Sequence, residues 1–268
     1  MNISEQKMVS ILKNLKQDFN VVAVKAEFEA EATRLDEAIR LKEITDSADL
    51  ALIIKIGGAE AIRDIFDAQL LDVKGLIAPM IESPYALQKY LEAIHKFFPK
   101  ELIKAINFGI NIETIHAYMS LKEIFKTPKI KTLSTITVGR VDLSLSMGMK
   151  RDEINNERIY KITEDICKFA KSKGFSTTIG GGIAIEAIPF IKKLKAKELL
   201  DRYETRKVVF IIGDSVRKIS KGILLANEFE LLWLKNKKNY YSAIYEEDDI
   251  RISMLQRRLV MGKKAIKG

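Results

Sequence analysis

Four apolar, β-rich segments of this chain each run out onto a carboxylate: VVAVKAE at Glu27, LIAPMIE at Glu82, INIE at Glu113 and STITVGRVD at Asp142. Helical stretches separate them. Such alternation builds parallel sheets, because a crossover helix is what brings the next strand alongside in the same direction. Parallel strands deliver their C-terminal ends to one side, in a closed barrel and in an open sheet alike. The four acids are therefore expected to converge on a single mouth. Carboxylates gathered there repel one another unless a cation sits among them, and oxygen ligands favour a hard divalent ion. Acids are also favoured in the first turn of a helix, but Glu113 and Asp142 sit in local sequences that need no such acid.

Periodicity places helices at about 3–17, 30–48, 59–71, 83–98, 114–126, 155–173 and 183–197. Strands fall at 20–27, 50–56, 74–80, 104–112, 132–139 and 175–179, with a last one, KVVFIIG, ending near Gly213. Ser83-Pro84 suits an N-cap followed by a first helical residue. From Ser215 to about Met261 the pattern is one long helix, with Asn239 as the place for a break. No proline-, glycine- or serine-rich linker divides the chain, so residues 1–268 read as one domain. Its helical segment 215–262 is expected to pack on the rest or on a neighbouring subunit. Seven strands are one short of the usual eight. At 268 residues the leading architecture is still a (β/α)8 barrel of the TIM type with a long C-terminal helical extension. A doubly wound open sheet is the second choice.

Hydrophobic residues make up 47% and charged residues 30%, ordinary for a soluble globular protein. No run is long enough to cross a bilayer, and Met1 to Lys16 reads as a polar amphipathic helix rather than a signal peptide. The single cysteine, Cys167, has no partner for an internal disulfide, which suits a reducing compartment. The expected location is the cytoplasm. Cys167 lies in an amphipathic helical pattern with no histidine nearby to activate it, so it reads as inert. The net charge of +9 comes from lysines spread along helices, as in KKLKAK and KNKK. Aromatic residues do not interleave with them as a nucleic-acid stacking platform requires. Neither nucleic acid nor membrane is an expected partner. A small carboxylate is, because a basic surface draws one in.

Strand parity sharpens the site. Lys25 shares a face with Glu27, Ile53 with Lys55, and Asn111 with Glu113. Arg140 and Asp142 share one with Val138 if that strand persists. Charged residues on a barrel's inner face belong at the rim, where chemistry happens. Lys55 is a candidate for stabilising negative charge on a substrate, and Arg140 for holding a substrate carboxylate. Gly57-Gly58 and Gly180-Gly181-Gly182 follow strands and would let backbone N–H groups approach an anion. The triple glycine lacks the lysine-serine of a Walker loop. Glu82 is placed to accept a proton through a water or to fix a metal site. His116, three residues after Glu113, is an acid/base candidate, whereas His95 reads as surface.

The segments KIGGAEAIRDI, GLIAPMIESPYAL, INIET and VGRVDLSLSMG, in this order and spacing, resemble the HpcH/HpaI aldolase and citrate lyase β-subunit family of the phosphoenolpyruvate/pyruvate barrel superfamily. The resemblance runs from about residue 20 to 190. It implies a (β/α)8 barrel that forms a homo-oligomer, often exchanging a terminal helix between subunits. It implies Mg²⁺ or Mn²⁺ held by Glu113 and Asp142, and a carbon–carbon bond made or broken beside a pyruvate-like or acyl enolate. The expected activity is thus that of a metal-dependent carbon–carbon lyase or aldolase on a small 2-oxo acid. Other enolate chemistry (a hydrolase or mutase) and a ligand-binding barrel without turnover are the alternatives. Two positions depart from the family pattern. Phe28 stands where the aldolase branch has a histidine, and Lys55 where an arginine is usual. The proton-transfer group is accordingly open among Glu27, Glu82 and His116.

Overall fold

The computed structural model describes residues 1–213 and 216–267. Its elements are α1 (Ile3–Phe19), β1 (Val21–Glu27), α2 (Leu35–Ser47), β2 (Ala51–Lys55), α3 (Ile62–Leu70), β3 (Gly75–Ala78), α4 (Pro84–Phe97), α5 (Lys100–Ile103) and β4 (Asn107–Ile112). They continue as α6 (Ile115–Met119), α7 (Leu121–Ile124), β5 (Leu133–Gly139), α8 (Arg140–Ser146), α9 (Glu157–Ser172), β6 (Ser176–Gly180), α10 (Ile188–Ala196), β7 (Arg202–Glu204), β8 (Val208–Ile211) and α11 (Val216–Lys267). Local chemistry sets many of the ends. Asn2 and Glu5 cap α1 reciprocally, each side chain accepting from the other's backbone N–H. Ser83 Oγ accepts from Ala86 N–H ahead of Pro84, as the sequence suggests for α4.

The eight strands close into a barrel in chain order, the TIM-type architecture expected. Strands β1 to β7 run parallel, but β8 is antiparallel to both its neighbours, β7 and β1. The reversal follows from length. Only Thr205, Arg206 and Lys207 separate β7 from β8; a parallel crossover needs a dozen or more residues, so the connection is a hairpin. Thr205 N–H donates to Val208 O at 3.0 Å, and Val208 N–H to Thr205 Oγ1 at 3.1 Å. The segment expected as a seventh parallel strand is thus the eighth, reversed. The true β7 escapes periodicity because it is three residues long and reads Arg-Tyr-Glu. As a consequence, Arg206 and Lys207 sit at the mouth, where β7 ends.

The strands bury branched apolar side chains such as Val24, Leu52, Ile54, Leu76, Ile110, Ile136, Val138 and Ile179. Polar residues are buried toward the C-terminal ends: Lys25, Glu27, Asn111, Glu113, Thr137, Thr178 and Glu204. Around the barrel, the helix expected over 114–126 is two short ones, α6 and α7, and the fourth strand, expected from 104, begins at Asn107 because a turn after α5 takes up residues 104–106. α11 is a single helix of 52 residues, about 78 Å long, continuous through Asn239. The start expected for it at Ser215 lies outside the described residues. Ile219, Ile223, Ala226, Phe229 and Trp233 bury its first part, which lies along α1. Tyr241 Oη donates to Glu37 Oε1 at 2.6 Å, tying it to α2. Further on, Ile244, Tyr245, Ile250, Ile252, Leu255 and Leu259 are exposed. Among the described residues no helix is long and apolar enough to cross a membrane.

Candidate active site at the barrel mouth

Parity along β1 turns Lys25 and Glu27 to one side, and they meet groups brought by other strands. Lys25 Nζ lies 2.5 Å from Glu204 Oε1, at the end of β7, and 3.2 Å from Glu27 Oε1. Lys55 Nζ, at the end of β2, is 3.0 Å from Glu27 Oε2, and Arg206 Nη1 is 3.9 Å from the same atom. Glu31 accepts from the Glu27 backbone N–H at 3.1 Å and from Lys207 Nζ at 2.5 Å. Burial pushes the Lys25 ammonium down, but the Glu204 and Glu27 carboxylates outweigh it and the net shift is upward. Burial likewise pushes the Glu27 carboxyl up, and Lys25, Lys55 and Arg206 reverse this, holding it at about 2. Glu27 is therefore a fixed anion, poorly matched to moving protons near neutral pH.

This shift has a consequence for stability. The unfolded chain binds a proton at Glu27 near its ordinary value of 4.5, whereas the folded chain resists until about 2. The stabilisation is complete above 4.5 and is lost progressively as pH falls toward 2. Urea unfolding across that window is expected to be steeper in pH for the wild type than for Glu27→Gln. Parallel profiles would contradict the ion-pair assignment.

The metal-binding pair expected from the sequence comes together at the mouth. Glu113 follows β4; its Oε1 accepts from Met80 N–H and its Oε2 from Asn111 Nδ2, both at 3.0 Å. Gly139 makes room for it, since a Cβ there would stand 2.3 Å from Glu113 Oε2. Asp142 arrives by a different route from the one parity suggests. β5 ends at Gly139, and Asp142 lies in the first turn of α8, where the helix terminus favours a carboxylate. It is half-buried. Burial raises the Glu113 carboxyl; Lys55 and the Met80 N–H oppose this, the Asp142 charge adds to it, and the net shift is upward.

These groups fit a hard divalent cation. The Asp142 charge reaches Glu113, and Asn111 Oδ1, beside Glu113, is buried with no hydrogen-bond partner. Among the described residues no three His, Cys, Asp or Glu side chains converge as a cage. An ion held by two carboxylates and completed by water and substrate oxygens is the usual Mg²⁺ arrangement.

The remaining expected residues are placed as follows. Arg140 is fully buried, and its guanidinium serves the fold rather than the mouth. Nε donates to Gly180 O at 3.2 Å, Nη1 to Asn155 Oδ1 at 2.8 Å, and Nη2 to Gly181 O and Gly182 O at 2.7 and 3.3 Å. It also lies over the Phe190 ring. A substrate carboxylate would have to displace these acceptors. Gly181 takes a left-handed φ of 75° and packs on the start of α8, where a Cβ would come within 2.7 Å of Val141 N. The Gly57 N–H, proposed as an anion donor, already donates to Asp64 Oδ2 at 2.7 Å. Glu82 is exposed and accepts from Thr114 Oγ1, next to Glu113. His116 is exposed on α6, and His95 is on the surface, bonded to Thr132 Oγ1. Glu31, Glu204, Arg206 and Lys207 were not anticipated. The signal for Glu204, Arg206 and Lys207 is the three-residue spacing between RYE and VVFI, which demands a hairpin; Glu31, in the loop after β1, has no such signal.

The HpcH/HpaI aldolase/citrate lyase family model matches residues 12–180, more than half the chain. The crystal structure of an HpcH/HpaI aldolase from Desulfitobacterium hafniense superposes with a TM-score of 0.60 at 13% identity, covering 76% of this chain and 82% of that one. A variant of the citrate synthase SbnG gives 0.56 at 18% identity over 88% and 92%. A malate synthase from Haloferax volcanii gives 0.56 at 12% identity over 75% and 64%. At such identities the structural likeness carries the fold. A comparison with curated proteins gave no match. Taken with the acids and glycines of the mouth, the match over residues 12–180 makes this chain a member of the HpcH/HpaI aldolase/citrate lyase family.

Proposed function

We propose that this barrel is a divalent-metal-dependent carbon–carbon lyase or aldolase that works through the enolate of a small 2-oxo acid or a related acyl substrate. The observation that carries the reading is the convergence of Glu113 and Asp142 at the mouth, close enough for one charge to shift the other, with Lys55 within electrostatic reach. Glu113 and Asp142 would hold Mg²⁺ or Mn²⁺, which supplies Lewis-acid stabilisation of negative charge on substrate oxygen. The chain's own groups supply the rest. The Lys55 ammonium, held by Glu27, balances the charge that develops on the enolate or sits on the carboxylate. Asn111 Oδ1 is left to accept a hydrogen bond from a substrate hydroxyl. Lys25 and Glu204 keep Glu27 ionised and in place. Among the structural neighbours, a Haloferax volcanii malate synthase is described as a magnesium/glyoxylate complex. Neighbours that are synthases make a bond of the kind a lyase breaks, and the same site serves either direction.

Oxalate, a planar enolate mimic, provides the test. In isothermal titration calorimetry it is expected to bind in the presence of Mg²⁺ and to stop binding once the metal is removed by a chelator. Equal binding with and without metal would sink the metal-dependent reading.

A further inference from the structure

We propose that Lys55 is the proton-transfer group of this site, carrying a proton between the substrate hydroxyl and the enolate carbon as well as contributing charge. This rests on the enolate reading above. Three geometric facts support it. Lys55 ends β2 with its side chain 13% exposed, whereas the other mouth lysine on these strands, Lys25, is locked between two carboxylates at 8%. The Lys55 ammonium pairs with a single carboxylate oxygen, Glu27 Oε2 at 3.0 Å, and an ammonium carries three N–H donors, so it has capacity left for a ligand. The competitors are otherwise engaged: Glu27 sits among three cations, Glu82 is bonded to Thr114, and His116 is exposed on α6.

The chemistry of the departure from the family pattern points the same way. An arginine at this position supplies charge but does not give up a proton, while a lysine ammonium can. Phe28, where the aldolase branch has a histidine, has no proton to give. One lysine then closes the cycle. As the neutral amine it takes the hydroxyl proton, and the electron pair of the O–H bond becomes the aldehyde C=O while the C–C bond breaks to the enolate. As the ammonium it gives that proton to the enolate carbon, whose C=C electron pair forms the new C–H bond and regenerates the amine.

The test follows solvent deuterium entering the pyruvate methyl group by NMR with Mg²⁺ present, alongside oxalate affinity by calorimetry. Lys55→Arg is expected to keep oxalate affinity within a few-fold and to slow exchange by at least about 100-fold. Lys55→Cys is expected to be inactive until treated with 2-bromoethylamine, which rebuilds a primary amine at that position. Cys167 does not interfere, because burial pushes its thiol up to about 12. Exchange by Lys55→Arg at the wild-type rate would show that charge alone suffices and would overturn the proposal. Should Lys55→Arg lose oxalate, the alkylated Lys55→Cys decides: regained exchange supports the proposal and no regain overturns it. A wild type that neither binds oxalate with Mg²⁺ nor exchanges pyruvate protons would instead remove the enolate reading itself.

Discussion

Replacing Lys25 by Met is expected to destabilise the protein by about 3–5 kcal/mol, the usual cost of removing one partner from a buried ion pair. Lys25 is 6% exposed and is the cation shared by Glu204 and Glu27, themselves 9% and 2% exposed. Methionine fills much of the same volume, so the loss is electrostatic rather than a cavity. Two buried carboxylates would face each other, with Lys55 at 3.0 Å and Arg206 at 3.9 Å left to offset Glu27 alone. In a barrel of this size such a loss lowers the thermal midpoint by roughly 10 °C. Two further results separate this cause from simple misfolding. Lys25→Met combined with Glu204→Gln should recover a large part of the loss, because the orphaned charge goes with its partner. Acidification should narrow the gap between Lys25→Met and wild type, since protonated carboxyls no longer repel. A single variant as stable as wild type at neutral pH would mean that Lys25 contributes nothing net.

Lys25 also shows where reading the sequence stops. Its parity with Glu27 is visible along β1, but its strongest contact, Glu204, lies 179 residues away on a strand too short to carry a periodic signal. The hairpin that holds that strand follows from a chain-length argument, not from hydrophobic pattern. Glu113 is legible, because it directly follows β4 two residues after Asn111, and both are buried at the mouth. Asp142 is legible in position and misread in setting: the strand gives way to helix at Arg140, and the acid is delivered by the first turn. The same break turns Arg140 away. With the backbone already helical, its guanidinium folds under the glycine turn and binds three carbonyls, an outcome set by tertiary packing that residue type alone does not reveal. Gly57 likewise reads as an open anion donor until Asp64, seven residues on, is seen to cap it.

Gly139→Ala is expected to lower metal-dependent oxalate affinity by at least about 100-fold while leaving the barrel folded. An added Cβ would lie 2.3 Å from Glu113 Oε2 and 2.8 Å from Glu113 Cβ, closer than such atoms pack, so the glutamate must move. The Gly139 φ of −85° is one that alanine adopts freely, so backbone strain does not enter. Disturbing the groups that orient a metal ligand typically costs about 10–100-fold in metal affinity, and here the displaced group is itself one of the two expected ligands. The Met80 and Asn111 hydrogen bonds that orient Glu113 would be lost with it. Asp142→Ala removes the other ligand without touching Glu113, so it should abolish the same binding by a different route. The two differ in a second readout. Removing the Asp142 charge takes away one of the influences that raise the Glu113 carboxyl, so that group should titrate lower in Asp142→Ala than in wild type. Gly139→Ala leaves the Asp142 charge in place. Carboxyl titration by NMR, read beside the calorimetry, distinguishes the two. Unchanged Mg²⁺-dependent oxalate binding in Asp142→Ala would place the metal elsewhere.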